Sequence, residues 1–152
     1  MVSHFKGKYS LRFPKKYRGN PTQCIFRSSW ELQVMKWMDT NSKVKWWSSE
    51  PFPIPYISPI DGKKHNYWPD FIFCIDNKEG KEQRILVEVK PLAQTKAPPK
   101  QKRRTRAYIN RVQTWGKNQA KWKAAKILCE NQNWQFSIWT EKTKIPNMQP
   151  FT

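Results

Sequence analysis

Acidic residues are scarce in this chain: 11 Asp and Glu stand against 29 Lys and Arg, for a formal charge of +18. Self-repulsion of that size has to be offset or exploited, which points to a polyanionic partner. Residues 1–27 carry no acid at all, and neither does the stretch between Glu88 and Glu130. Metal-binding sulfur and imidazole are also in short supply. Cys24, Cys74 and Cys129 are scattered, no Cys-x-x-Cys occurs, and only His4 and His65 could accompany them. That excludes a zinc site of ordinary spacing. Cys74 and Cys129 sit among apolar residues and are expected to be reduced core residues. No apolar run is long enough to span a membrane, and no apolar stretch of signal-peptide type opens the chain, so the expectation is a cytoplasmic protein.

What is present in quantity is aromatic. Nine tryptophans in 152 residues argue against a disordered basic tail and for one folded domain with a sizeable core. A ribosomal or other structural RNA-binding protein would be as basic, but has little need of so many tryptophans or of the carboxylate hairpin that lies mid-chain. There, Tyr67–Ile75 and Ile85–Val89 are β-prone runs, joined by a polar segment with Asn77 and Gly80 that reads as a hairpin turn. A turn centred near residues 79 and 80 places Asp70 opposite or nearly opposite Glu88. Opposed residues have Cβ atoms about 4.5–5.5 Å apart, and like charges there destabilise a sheet unless neutralised, as a divalent cation would do. Alternation puts Glu88 and Lys90 on one face, with Val87 and Val89 on the other.

Pro69-Asp70 followed by Glu88-Val89-Lys90 resembles the signature of the nuclease superfamily named for Pro-Asp…(Asp/Glu)-X-Lys. The flanking segments Gly7-Lys8-Tyr9, Lys16-Tyr17-Arg18-Gly19, Arg27-Ser28-Ser29-Trp30-Glu31, Trp47-Ser48-Ser49-Glu50, Ile54-Pro55-Tyr56 and Tyr67-Trp68-Pro69-Asp70-Phe71 narrow this. Together they resemble the head-completion nucleases of tailed phages and, more weakly, the nuclease subunit of a bacterial cut-and-paste transposase. The resemblance runs from about Gly7 to Lys90. It implies an α/β fold of restriction-endonuclease type and a metal-dependent DNA nuclease acting before head and tail join. That would be in the host cytoplasm during assembly or in the virion, with head or portal proteins as partners. It also implies a carbonyl ligand from Val89, and a glutamate on the first helix, here Glu31, reaching toward the metal.

The rest of the chain is consistent with such a domain. Residues 1–27, with seven Lys and Arg, read as a basic arm or a loop draped over the body, suited to clamping DNA or docking a partner. Ser28 or Ser29 caps a helix to about Asp39, with Trp30, Val34, Trp37 and Met38 on one apolar face. Glu31 there has a plainer reading, as a first-turn acid that suits the helix dipole. From Val44 to Ile60 four prolines allow only an edge or interrupted strand. Asp61-Gly62 turns the chain back through His65 into the Asp70 strand, whose two apolar faces mark it as central. Glu50 is expected to be structural, paired with a lysine, and His65 a solvated residue.

After Lys90 comes a basic loop, residues 91–104, then a helix from about Thr105 to Asn131. Tyr108, Val112, Trp115, Gln119 and Trp122 are its expected core stripe. Lys102, Arg103, Arg104, Arg106, Lys117 and Lys121 are the candidate DNA contacts, since a cation run without acids suits phosphates. Gly116 and Gln119 are expected to look back toward the metal site, where Gln119 or Lys121 positions a phosphate. Residues 134–140 form a closing strand, and 143–152 a tail.

The order of helix, three-stranded meander, helix and strand predicts a single-domain α/β fold, with a mixed sheet flanked by helices. In it Asp70 and Glu88 would hold Mg²⁺, or Mn²⁺, with oxygen donors. Lys90 would orient or deprotonate the attacking water and offset transition-state charge. Two other classes fit less well. A non-catalytic DNA-end-binding protein need not keep all three charges, and a transposase or restriction-type subunit usually carries a further recognition domain.

Overall fold

In the computed structural model, which describes residues 6–143, the elements are β1 (Gly7–Lys8), β2 (Ile25–Phe26), α1 (Ser29–Thr40), β3 (Trp46–Ser49), β4 (Ile54–Ile57), β5 (Lys64–Tyr67), β6 (Phe71–Asp76), β7 (Glu82–Val89), α2 (Arg106–Gln132) and β8 (Gln135–Trp139). All of the expected tail but Thr143 lies outside the described residues, as do the first five of the arm. The main sheet has the order β3-β6-β7-β8. Its first three strands form an antiparallel meander, and β8 joins β7 in parallel after the long α2 crossover. This is the expected single α/β domain with a mixed sheet between helices.

Alternation along β6 and β7 divides the core into two layers. Phe71, Phe73, Ile85, Val87 and Val89 face α1, where Trp30, Val34, Met35 and Met38 meet them with Trp47 and Trp139. Ile72, Cys74 and Leu86 face the other way, onto Trp122, Ala125 and Cys129 of α2 and onto Ile54, Tyr56 and Tyr67. Cys24, Cys74 and Cys129 are all buried, free thiols.

Two local expectations need correction. The run Tyr67–Ile75 is not one strand. Tyr67 ends β5, which pairs with β4 as a separate two-stranded ribbon, and β6 begins only at Phe71. Pro69 interrupts the ladder between them, because proline has no N–H to donate. The Val44–Ile60 stretch is interrupted, as expected: it gives β3 to the edge of the main sheet and β4 to the β4–β5 ribbon. The Asp61-Gly62 turn does form, with Gly62 at φ +69° and its N–H donating to the Ser58 carbonyl.

In α2 the buried face is not the expected one. Thr105 caps the helix, its side chain accepting from the Tyr108 N–H, but the buried stripe is Asn118, Trp122, Ala125 and Cys129. Of the expected stripe only Trp122 is buried; Val112 is 41 % exposed, Gln119 is exposed, and Tyr108 and Trp115 are half-buried. The first turns of α2 form open clefts with residues 93–104 of the preceding loop, and no α2 side chain before Asn118 is fully buried.

The arm lies against the body. Cys24 and Phe26 belong to the α1-side core, and β1 pairs with β2. Asp39, 0 % exposed, accepts from the Tyr9 hydroxyl (2.6 Å) and from the backbone N–H groups of Arg12 (2.7 Å) and Phe13 (3.0 Å). Lys16 Nζ donates to the carbonyls of Asp39 and Asn41 at the end of α1. A buried carboxylate with three donors is satisfied, and it ties the arm to the helix.

Candidate active site

The β6–β7 hairpin sets the register. Its turn closes from Asn77 to Lys81, with Gly80 at φ +77°, a conformation that favours glycine. Phe71 then pairs with Val87, which places Asp70, one residue beyond the ladder, across from Glu88 as expected. Asp70 Oδ2 accepts from the Val89 N–H at 2.8 Å. Asp70 keeps part of its surface open to solvent while its carboxyl is enclosed by protein atoms. That burial, then the charge of Glu88, holds its pKa well above the usual carboxylate range; Glu31 adds a smaller push and the Val89 N–H opposes it.

Glu88 is 4 % exposed and points to the α2 side of the sheet. Trp122 Nε1–H donates to its Oε2 at 3.3 Å, and Lys90 Nζ lies 4.0 Å from the same oxygen. Lys90 is thus on the Glu88 face, as alternation requires. The buried Tyr67 hydroxyl makes no hydrogen bond of good geometry. It lies against Glu88, and burial, followed by the charges of Glu88 and Asp70, drives its pKa far upward.

Glu31 does not join this pair. Ser28 Oγ caps α1 by accepting from the Glu31 N–H, and the Glu31 carboxylate turns back to the Arg27 N–H and Ser28 Oγ, both at 3.4 Å. That is a helix-start role of capping-box type. Burial raises the Glu31 pKa, with the Arg27 N–H opposing. Among the described residues no three His, Cys, Asp or Glu side chains are gathered as a metal cluster. The donor set at Asp70 and Glu88 is two carboxylates, oxygen ligands of the kind hard divalent cations take. Their mutual repulsion is what a cation would relieve.

Glu50 pairs with Arg27 rather than with a lysine, and exposed His65 pairs with Asp61. Gly116 lies against Pro59, and the exposed Gln119 lines a cleft with Trp122, Lys123 and Lys126. Lys121 stands over the rings of Tyr56 and Tyr67, near enough to Glu88 to feel its charge. Lys102, Arg103, Arg104 and Arg106 are exposed on the loop and first turn of α2, without acidic partners among the described residues; Lys117 is half-buried. Glu141 anchors the start of that loop by accepting from the Leu92 N–H at 2.9 Å. Sequence reasoning missed Tyr67 and Trp122 as neighbours of the carboxylates, and Tyr56 as a neighbour of Lys121. The spacing of Trp122 marked it only as core.

The fold is that of the restriction-endonuclease-like α/β domains, a class of nucleases. Residues 41–141 match the family model described as TnsA-like endonuclease N terminal, and the chain belongs to that family. A relative 36 % identical over 141 residues, covering 90 % of this chain and 91 % of its own length, is the head completion nuclease of Enterobacteria phage T4. Similarity therefore extends well past Lys90, through α2 and β8, where no motif was legible. No solved structure matches the chain at a significant level. No described helix is long and apolar enough to cross a membrane.

Proposed function

We propose that this chain is a metal-dependent DNA nuclease that works in phage head completion, within the host cytoplasm during assembly or within the particle. The observation that carries the chemistry is the opposition of Asp70 and Glu88 at the end of the hairpin, with Lys90 Nζ 4.0 Å from Glu88. The role in head completion rests on the phage relative. Asp70 and Glu88 would hold Mg²⁺, or Mn²⁺. The N–H and C=O of one strand residue point to the same side, so the Val89 carbonyl faces the same edge as Asp70 and is a third candidate oxygen. Bound there, the cation would acidify a water and neutralise charge at the scissile phosphate.

The chain's own groups do the rest. Trp122 Nε1–H and the 4.0 Å ammonium of Lys90 orient the Glu88 carboxylate, and the Val89 N–H orients Asp70. Lys90 orients the attacking water and offsets the charge that builds on the phosphate as the new P–O bond forms and the bond to the leaving sugar oxygen breaks. Glu31 lends its charge to the site from the start of α1. Lys102, Arg103, Arg104, Arg106, Lys117 and Lys121 hold the DNA backbone, and the arm surface up to residue 27 docks on a head or portal protein.

The test is incubation with linear and closed-circular DNA, with and without Mg²⁺. Cleavage of either in Mg²⁺ alone supports the reading, and the form attacked separates exonuclease from endonuclease action. Tight binding without cleavage in either Mg²⁺ or Mn²⁺ refutes it in favour of a structural DNA-end-binding protein.

A further inference from the structure

Lys121 has an environment that DNA binding in general does not explain. Its Nζ stands 5.9 Å from the centre of the Tyr56 ring and 5.8 Å from that of Tyr67. Both tyrosines are buried, and Tyr67 lies against Glu88. A lysine is almost never fully buried without a carboxylate partner, and a half-buried one is often held by one too. Lys121 has none within ion-pair distance among the described residues: Glu88 is already engaged by Trp122 and faced by Lys90. Burial, and after it the charge of Lys90, lowers the Lys121 pKa, while Glu88 acts the other way. Lys90 and Lys121 therefore both stand near the buried Glu88 carboxylate, and Lys117, one turn back along α2, adds its charge to that of Lys121.

The two rings matter because of what they leave undone. A carboxylate would hold the ammonium in place and cancel its charge. Two aromatic faces hold it in place and leave the charge and its N–H donors free. An ammonium positioned but not neutralised, beside the carboxylates, is suited to a phosphate oxygen. We infer that Lys121 is a second catalytic cation, donating to a non-bridging oxygen of the scissile phosphate while Lys90 serves the water. The inference rests on the nuclease reading of this same site.

The experiment compares wild type with Lys121→Met and Lys121→Arg. Cleavage of a labelled linear duplex is measured under single turnover, with saturating protein and Mg²⁺, so that binding does not limit the rate. Lys121→Met should be slower by about 100-fold, the loss typical of removing one donor to transition-state charge, and Lys121→Arg should recover most of it. Melting should show the same Mg²⁺-induced rise in all three proteins, because Lys121 holds no metal. In metal-free buffer, Lys121→Met should lower the salt slope of DNA binding by about 0.9, the share of one phosphate.

Lys121→Met cleaving within about threefold of wild type at saturation would overturn the inference. So would loss of the Mg²⁺ shift in both variants, which would make Lys121 a support of the carboxylates. If wild type binds DNA and cuts none, the nuclease reading fails separately and the catalytic role with it. The salt slope then still decides whether Lys121 holds a phosphate, which an unchanged slope refutes.

Discussion

Replacing Asp70 by asparagine should stabilise the metal-free protein while abolishing cleavage. The two carboxyls face each other, and burial and the Glu88 charge raise the Asp70 pKa. The sign follows from linkage. A carboxyl with a raised folded-state pKa binds its proton more tightly folded than unfolded. Its cost is absent below the unfolded pKa, grows as pH rises toward the folded pKa, and is constant above it. Two unit charges about 5 Å apart, at an effective dielectric near 20, repel by about 3 kcal/mol. Asparagine removes the charge and keeps an oxygen for the Val89 N–H. In a domain of this size 3 kcal/mol corresponds to roughly 6–12 °C in Tm. Melting in EDTA from pH 5 to pH 9 should show Asp70→Asn above wild type, with the gap smallest at pH 5. Mg²⁺ at pH 8 should then raise the wild-type Tm and leave the variant nearly unmoved. An Asp70→Asn protein that melts below wild type throughout, or a gap that ignores pH, refutes the reasoning.

Lys90→Met should abolish cleavage yet keep the Mg²⁺-induced rise in Tm, whereas Glu88→Gln should lose both; melts with and without Mg²⁺ beside a cleavage assay separate them. Alanine at Lys102, Arg103, Arg104 and Arg106 together should flatten the salt dependence of DNA binding by about 0.9 for each phosphate no longer held, and an unchanged slope would assign these cations to solvent. Asp39→Ala leaves three donors without their carboxylate and should cost about 3 kcal/mol in urea unfolding, with residues 7–27 becoming protease-sensitive. Deleting the arm is a poor test of docking, since Cys24 and Phe26 belong to the core. Charge reversal at exposed Arg12 and Lys15 should instead spare cleavage of naked DNA and reduce the yield of complete particles, and normal particle yield would end the docking proposal.

The sequence by itself determined the hairpin and what it carries. Asn77 and Gly80 set the turn, the turn sets the register, and in a period-2 strand the register decides which side chains meet. Asp70 against Glu88, and Lys90 on the Glu88 face, were therefore legible, as were a serine cap at Ser28 or Ser29, of which the structure uses Ser28, and the two-sided burial of β6. Tertiary structure alone decided how far that logic reached. Tyr67 reads as the start of the Asp70 strand, but Pro69 cannot pair, and Tyr67 instead closes a separate ribbon over Glu88. The period of α2 is helical along its whole length, yet a period does not say which turns will be covered. Burial therefore shifted to Asn118, Trp122, Ala125 and Cys129, and the first turns were left with open clefts against the preceding loop. The surroundings of Lys121 come from β4, β5, β7 and α2, elements far apart in the chain. No local pattern encodes that meeting, because it exists only once both faces of the sheet are covered.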